Sequence, residues 1–488
     1  MQKKAIIIGS GIGGLATAIR LAAKGMQVTI YEKNAYAGGK LSAFYKNGYQ
    51  FDAGPSLFTQ PQYIEELFTL VKEPITPVFT YQKVPISCNY FFSDGASIAA
   101  PSNPKAFANL LHQNFNEDQH KVLKYLNNSS NAFNSIGTLF TNFSLHKLKS
   151  YLNGRLVAAL KATKIAYLTK SLHQYNSNFF KHKNTIQLFN RFATYNGSNP
   201  YKAPAMLSMI PHFEINVGTF YPNGGMINIT NALLHLANKL GVTINYNSPV
   251  QKVIHYKNIV QGVQVNNTTH NAHVVVSNMD VYYTYKNLLT NTKAAQHILK
   301  QERSSSAFIF YWAINKSYPQ LGLHNIFFSE NYKQEFTKIF HHNSIATDVT
   351  IYVNITSKME AGQAPAGCEN WFVMVNTPPH SNQNWEQLQA QIKAMVIAKI
   401  SHHLGENIAP FIAHQATLSP HDIETRTASY MGSLYGSSSN SKMAAFMRQR
   451  NQSLQYKGLY FVGGSVHPGG GIPLCLSSAK IVAGLIKN

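Results

Sequence analysis

Apolar and polar positions follow two different periods along this chain, and the switches between them mark its elements. Lys4–Ile8 is a short apolar run, residues 9–14 form a glycine turn, and residues 15–24 carry apolar side chains at helical spacing until Gly25 stops them. Gln27–Tyr31 reads as a second strand, so the chain opens on strand, turn, helix, strand. Residues 64–71 predict a short helix, and 90–92 with 96–99 flank Asp94-Gly95 in the manner of a hairpin. From about 104 to 210 the pattern is mostly helical. β-Branched and aromatic runs return at 242–246, 250–255, 260–265, 274–277, 307–313, 349–355 and 371–376. Residues 386–403 repeat as a helix through Leu388, Ile392, Met395, Val396 and Ile400. A strand at 458–462, a glycine turn and a helix from about Pro473 close the chain.

Composition narrows the class. Of 488 residues, 44% are apolar and 12% aromatic, while 13% are charged, against a usual share of about 25%. A chain of this kind builds a packed core and is not disordered. Cys88, Cys368 and Cys475 lie far apart with no CxxC pair, which argues against a disulfide framework or a cysteine-rich metal site and suits a reducing cytosol. No run of about 18 apolar residues predicts a membrane-spanning helix. Residues 1–23 have the basic head and apolar body of a signal peptide, but the glycines at 9, 11, 13 and 14 suit a nucleotide turn better, so no secretory leader is expected.

Charge adds a location. Lys and Arg number 42 against 20 Asp and Glu, a formal +22, and the stretch between Asp118 and Glu214 holds twelve basic residues and no acid. Within it, residues 145–172 mix Leu, Ile, Val and Ala with Lys at roughly helical spacing, free of proline. Two readings stand: a patch for an anionic membrane surface, or the solvated face of a helix in a basic protein. Nucleic acid is disfavoured, since no recognition module or zinc spacing accompanies the charge.

The strongest chemical signal is Gly9-Ser10-Gly11-Ile12-Gly13-Gly14 between a strand and a helix. Gly9 permits the turn, Gly11 lets the backbone approach a pyrophosphate, and Gly14 lets helix and strand pack closely; the helix start offers N–H groups to the phosphates. Glu32 ends the second strand, where a carboxylate accepts hydrogen bonds from a ribose. Gly38-Gly39-Lys40 and Phe51-Asp52-Ala53-Gly54-Pro55-Ser56 follow.

Together with these, the segments 191–205, Tyr221-Pro222-Asn223-Gly224-Gly225-Met226, 274–280, 459–473 and Ser478-Ala479-Lys480 resemble the carotenoid (phytoene) desaturase branch of the amine oxidase-like flavoproteins, in the expected order over essentially the whole chain. The resemblance implies an α/β fold: a Rossmann-like FAD-binding domain (1–75, 215–285 and 455–488) interleaved with a substrate domain of mixed sheet (76–103 and 286–454) and a helical, membrane-facing part (104–214). It implies that Gly9, Ser10, Gly11, Gly13, Gly14 and Glu32 hold the ADP half of FAD, with Gly39 and Lys40 beside the pyrophosphate. Gly54, Pro55 and Ser56 are expected near the flavin ring, the Val250 backbone at the adenine, and Gly463, Gly464 and Ser465 along the ribityl–phosphate chain. Gly471, Ile472 and Pro473 open the last helix, whose dipole would face the flavin N1/O2 edge. Phe220 and Tyr221 are expected on the substrate side of the ring. Two positions depart from the pattern: Lys40 stands where many relatives carry Arg, and Gly464 where the wider superfamily carries Asp.

For the reaction, the resemblance implies hydride transfer from a hydrophobic C40 carotenoid to flavin N5, with no catalytic triad or metal required. The runs Gly39-Lys40-Leu41-Ser42 and 51–59 look closest to desaturases of 1-hydroxylated acyclic carotenoids, which introduce a 3,4 double bond; phytoene desaturases are the alternative. A flavin amine oxidase and a prenyl-lipid carrier are the remote ones. A cytoplasmic enzyme held peripherally on the inner face of the cell membrane is expected. His341-His342 and His402-His403 lack a matching metal-ligand set, Cys475 is expected to be a packed thiol, and His467 a turn histidine or a group facing flavin or substrate.

Overall fold

In the computed structural model, which describes residues 2–144, 165–441 and 448–487, five parallel strands drawn from distant parts of the chain form one sheet. Their order is Leu459–Phe461, Val274–Ser277, Lys4–Ile8, Gln27–Tyr31 and Thr243–Asn245. The first strand explains why this sheet reads as an unbroken apolar run. Ala5 and Ile7 point into a core shared with the helices Ile12–Ala22, Ile227–Lys239 and Ile472–Leu485. Ile6 and Ile8 point the other way, against an antiparallel sheet of Val250–Tyr256, Ile259–Val265 and Thr268–Asn271. With both faces covered, Ala5 to Ile8 are all buried and all apolar.

A second sheet has seven strands in the order Ile412–Leu418, Ser306–Ile314, Glu369–Thr377, Ile351–Ile355, His324–Phe327, Ile86–Phe91 and Ser97–Pro101. Only the pairing of His324–Phe327 with Ile86–Phe91 is parallel. One face buries Phe308, Phe310, Trp312, Val353 and Val373 against Ile392, Val396 and Ile400 of the helix Trp385–Leu404, the stripe that its sequence predicts. The alternate residues Ile309, Ile326, Tyr352, Phe372, Met374 and Leu418 face a cavity between the two sheets.

The helical part packs Phe107, Leu111, Tyr125, Phe180, Phe189 and Phe192 into a core shared with Tyr90, Phe92, Ile98 and Phe328 at the edge of the second sheet. Its helix starts follow local chemistry. Asn103 accepts from the Lys105 and Ala106 N–H groups with Pro104 in the first turn, and Ser171 with Gln174 closes a reciprocal cap. Of the basic run 145–172, residues 145–164 lie outside the described residues. Among the described ones no helix is long and apolar enough to cross a membrane.

Seven of the described strands lack a sequence signal: Ala43–Lys46, Tyr49–Asp52, Tyr81–Lys83, Phe220–Pro222, Thr268–Asn271, His324–Phe327 and Ile412–Leu418. Each is short or interleaved with polar residues, so neither period is established within its length.

Candidate active site

The parallel strands end on one side of their sheet, and the loops that follow them meet there. Gly9 follows Lys4–Ile8, Glu32 follows Gln27–Tyr31, Asn278 to Asp280 follow Val274–Ser277, and Gly463 to Ser465 come shortly after Leu459–Phe461. All these loops line a single cavity of about 510 Å³. Two close approaches build its wall. A Cβ on Gly14 would stand 2.2 Å from the Gly9 carbonyl oxygen, and one on Gly11 would stand 2.5 Å from Asn278 Oδ1. Gly471 adopts φ +103° at the start of Ile472–Leu485 and meets nothing within 4 Å, so two helix N-termini open on the same space.

Glu32 is buried, and its carboxylate organises the turn. Oε2 accepts from the Ser10 backbone N–H at 2.7 Å and from Ser10 Oγ at 2.8 Å, and Oε1 accepts from the Asn34 N–H at 2.9 Å. An ionised carboxylate has about four acceptor positions, so one on Oε1 remains for a ligand hydroxyl. Lys40 Nζ donates to the Leu434 carbonyl at 3.0 Å and lies near Asp280 and Cys475. Enclosure lowers its ammonium to about 8, with the two neighbouring acids opposing. Burial raises the Cys475 thiol to about 11, which leaves it protonated and inert near neutral pH.

Gly9, Gly11, Gly13, Glu32, Gly39, Lys40, Gly54, Pro55, Ser56 and Val250 line the cavity, as do Gly463, Gly464, Ser465, Gly471, Ile472 and Pro473. Ser10 and Gly14 stand behind that wall, one bonded to Glu32 and the other against Gly9. Phe220 and Tyr221 are not where the sequence suggests. Phe220 packs edge-on against Phe58 and Tyr81, and the buried Tyr221 donates to Glu360 at 3.2 Å and accepts from Gln363 at 2.8 Å. Their short strand, Phe220–Pro222, pairs with Tyr81–Lys83, and neither side chain lines the cavity. His467 is wholly buried and bonded through Nε2 to the Phe143 carbonyl, away from the cavity. Among the described residues no group of three or more His, Cys, Asp or Glu is placed to hold a metal.

Sequence reasoning misses Asn278 and Asp280 as site residues, although both directly follow a parallel strand. It also misses the far end of the cavity. There Ser56 Oγ and Tyr352 OH stand 2.8 Å apart, and the same hydroxyl is 2.7 Å from His324 Nδ1. Burial pushes the His324 imidazole down to about 4, so the ring is neutral. Beside it Arg191 donates to Glu214 at 2.7 and 2.9 Å, Tyr90 donates to Glu214 at 3.0 Å, and Tyr195 donates to its other oxygen. Ser56, Arg191 and Tyr195 belong to segments with a recognised resemblance, whereas Tyr90, Glu214, His324 and Tyr352 come from elsewhere in the sequence.

A glycine turn at one strand end, an acid at the next and a second helix start around the same cavity are the features of a dinucleotide-binding protein. The family model for flavin containing amine oxidoreductase matches residues 12–487. The chain is 50% identical over 487 residues to the 1-hydroxycarotenoid 3,4-desaturase of Flavobacterium sp. (strain P99-3), covering 100% of this chain and 99% of that one. It is 31% identical to the 4,4'-diaponeurosporene oxygenase of Staphylococcus haemolyticus, covering 100% and 97%. An oxidoreductase from Methanosarcina mazei shares the fold at TM-score 0.63 and 16% identity, with 98% of each chain aligned. This chain belongs to the flavin-containing amine oxidoreductase family and is an FAD-dependent enzyme. The cavity fits that cofactor: glycines leave room for a pyrophosphate, helix starts and Lys40 offset its charge, and Glu32 keeps an acceptor free.

Two outcomes follow for the cofactor. Glu32→Ala removes the acceptor of the buried Ser10 N–H and the half-buried Asn34 N–H, as well as the acceptor expected to meet a ribose. Thermal melts of the apoprotein should show a loss of about 1.5–3 kcal/mol, and fluorescence titration a weaker FAD affinity; unchanged affinity separates Glu32 from the cofactor. Lys40 is charged below about pH 8 and discharged above it in the apoprotein, whereas a bound pyrophosphate favours the charged form. FAD binding should therefore weaken as pH rises from 7 to 9.5 and take up a proton, read by calorimetry in buffers of differing ionisation enthalpy. A flat profile removes Lys40 from the phosphate contact.

Proposed function

We propose that this protein is an FAD-dependent carotenoid desaturase that introduces the 3,4 double bond of an acyclic carotenoid bearing a tertiary 1-hydroxyl. The observation that carries the reading is 50% identity, over the whole chain, to an enzyme named for that reaction. Beside it stands a cavity continuous from the glycine turns to the apolar face of the second sheet.

An allylic C–H is far too weak an acid for a side chain to deprotonate at neutral pH. Bound FAD supplies the hydride acceptor for that bond. Gly9, Ser10, Gly11, Gly13, Gly14 and Glu32 would hold the ADP half, with Val250 at the adenine and Gly39 and Lys40 at the pyrophosphate. Gly463, Gly464 and Ser465 would follow the linking chain, and Gly471, Ile472 and Pro473 would direct a helix dipole at the ring. Gly54, Pro55 and Ser56 would border the ring itself. The units 1–75, 215–285 and 455–488 form the flavin-holding part of this reading, with 76–103 and 286–454 as the substrate part. Ile309, Phe372, Met374 and Leu418 exclude water and hold the polyene flat, and the Phe372 and Tyr352 rings steady positive charge developing along it. Loss of the hydride acidifies the neighbouring C–H, so no strong base is needed.

Chromatography of pigments after supplying a 1-hydroxylated acyclic carotenoid and, separately, phytoene decides the reading. Conversion of the hydroxylated compound by one additional conjugated double bond is expected; conversion of phytoene alone overturns it.

A substrate of this kind resides in lipid, and the basic helical part 104–214 supports contact with an anionic membrane surface from the cytoplasmic side. Each lysine near such a surface contributes about 1 kcal/mol. Replacing Lys161, Lys164 and Lys170 together by Gln should weaken sedimentation with anionic liposomes by roughly 100-fold at low salt, and no change assigns the run to an ordinary solvated face.

A further inference from the structure

The polar end of the cavity contains two buried donors without an acceptor among the described residues, His324 Nε2 and Arg191 Nε. His324 and Ile326 occupy the cavity face of the strand His324–Phe327. His324 Nδ1 lies 2.7 Å from Tyr352 OH and 3.1 Å from the Asn354 amide nitrogen. That amide nitrogen also donates to the Leu323 carbonyl at 3.0 Å, so it is the NH₂ end, and Nδ1 must be the unprotonated acceptor. In the neutral ring the proton then sits on Nε2. This N–H is buried and has no partner among the described residues.

Its polar neighbours are committed elsewhere. Both oxygens of Glu214 accept from Arg191 and from a tyrosine. Thr350 Oγ1 bonds Ser329 and Glu335, and Tyr352 bonds Ser56 and His324. Arg191 Nε also lacks an acceptor, but its guanidinium lies over the rings of Phe192, Tyr195 and Tyr90, at 4.4, 5.6 and 5.2 Å from their centroids. Aromatic faces take up its charge.

We propose that the Nε2–H of His324 donates a hydrogen bond to the 1-hydroxyl oxygen of the substrate, making His324 the residue that selects hydroxylated over plain acyclic carotenoids. The inference rests on the desaturase reading above. In such a substrate the hydroxyl is on C1, two carbons from the C3–C4 bond, so the group that reads it must stand close to the flavin-facing wall. His324 meets that requirement through Tyr352 and Ser56, the last residue of the turn expected at the ring. A hydrocarbon end would seal the cavity with this donor still unpaired, and a site built around a hydroxyl rejects the analogue that lacks it.

Two variants separate recognition from structure. His324→Asn keeps an acceptor near the Nδ1 position for Asn354 and Tyr352 but removes the outer donor, whereas His324→Gln keeps a donor near the Nε2 position. The full-length holoenzymes are assayed on a 1-hydroxylated carotenoid and on its non-hydroxylated counterpart, and binding of the 1-hydroxylated product is read from quenching of protein fluorescence. In H324N the ratio of kcat/KM between the two substrates should fall about 10- to 100-fold, with product affinity falling in parallel, while H324Q stays within a few-fold of the native ratio. Equal behaviour of the two variants, or an unchanged ratio in H324N, overturns the proposal and leaves the desaturase reading standing. A native enzyme that shows no preference for the hydroxylated substrate overturns both.

Discussion

Gly13, near the start of the chain, and Gly463, near its end, approach so closely that a Cβ on the first would stand 3.3 Å from the Cα of the second. Everything the site does depends on that proximity. Charge on a dinucleotide must be met by backbone N–H groups, and backbone can approach only where side chains are missing. The neighbouring glycines repeat the logic: Gly14 is pressed on the Gly9 carbonyl and Gly11 on Asn278. The five-stranded parallel sheet exists to bring these loops together, since it gathers on one edge the carboxyl ends of strands from three distant parts of the chain.

The second sheet completes the cavity by a division of labour between its faces. Alternate residues of the same strands build either the core against the helix Trp385–Leu404 or the cavity wall. Phe372 faces the cavity while Val373 is in the core; Tyr352 and Val353 are divided in the same way. A one-residue slip in register would exchange the two sets and put Val353 where Tyr352 now holds Ser56 and His324. Rigidity of the core face therefore sets the precision of the cavity face.

The sequence made this architecture readable wherever a single segment carried the signal. The glycine turn with Glu32, the apolar parallel strands and the stripe through Ile392, Val396 and Ile400 are all local patterns, and the folded chain keeps them. The polar end of the cavity was not readable. His324 sits in the four-residue strand His324–Phe327, its partners are Tyr352 and Asn354, and Tyr352 in turn meets Ser56, so no window contains the arrangement. Phe220 and Tyr221 show the opposite error. Their place beside a glycine turn suggests the ring, but in a short strand paired with Tyr81–Lys83 Phe220 joins an aromatic cluster and Tyr221 bonds Glu360 and Gln363, contacts that sequence distance conceals. Glu32 is a third case: the carboxylate was legible as a ribose partner, and its equal commitment to Ser10 and Asn34 was not.

The central place of the first strand also bears on how the enzyme matures. Lys4–Ile8 lies between Gln27–Tyr31, which leaves the ribosome soon after it, and Val274–Ser277, which in turn pairs with Leu459–Phe461. Residues 459–473 must be made before the nucleotide pocket has all its walls, and until then Ile6 and Ile8 have no complete cover. The nascent protein thus carries an exposed, sticky edge until those segments arrive, and coenzyme capture becomes a late checkpoint, passed only by chains in which residues 459–473 have docked.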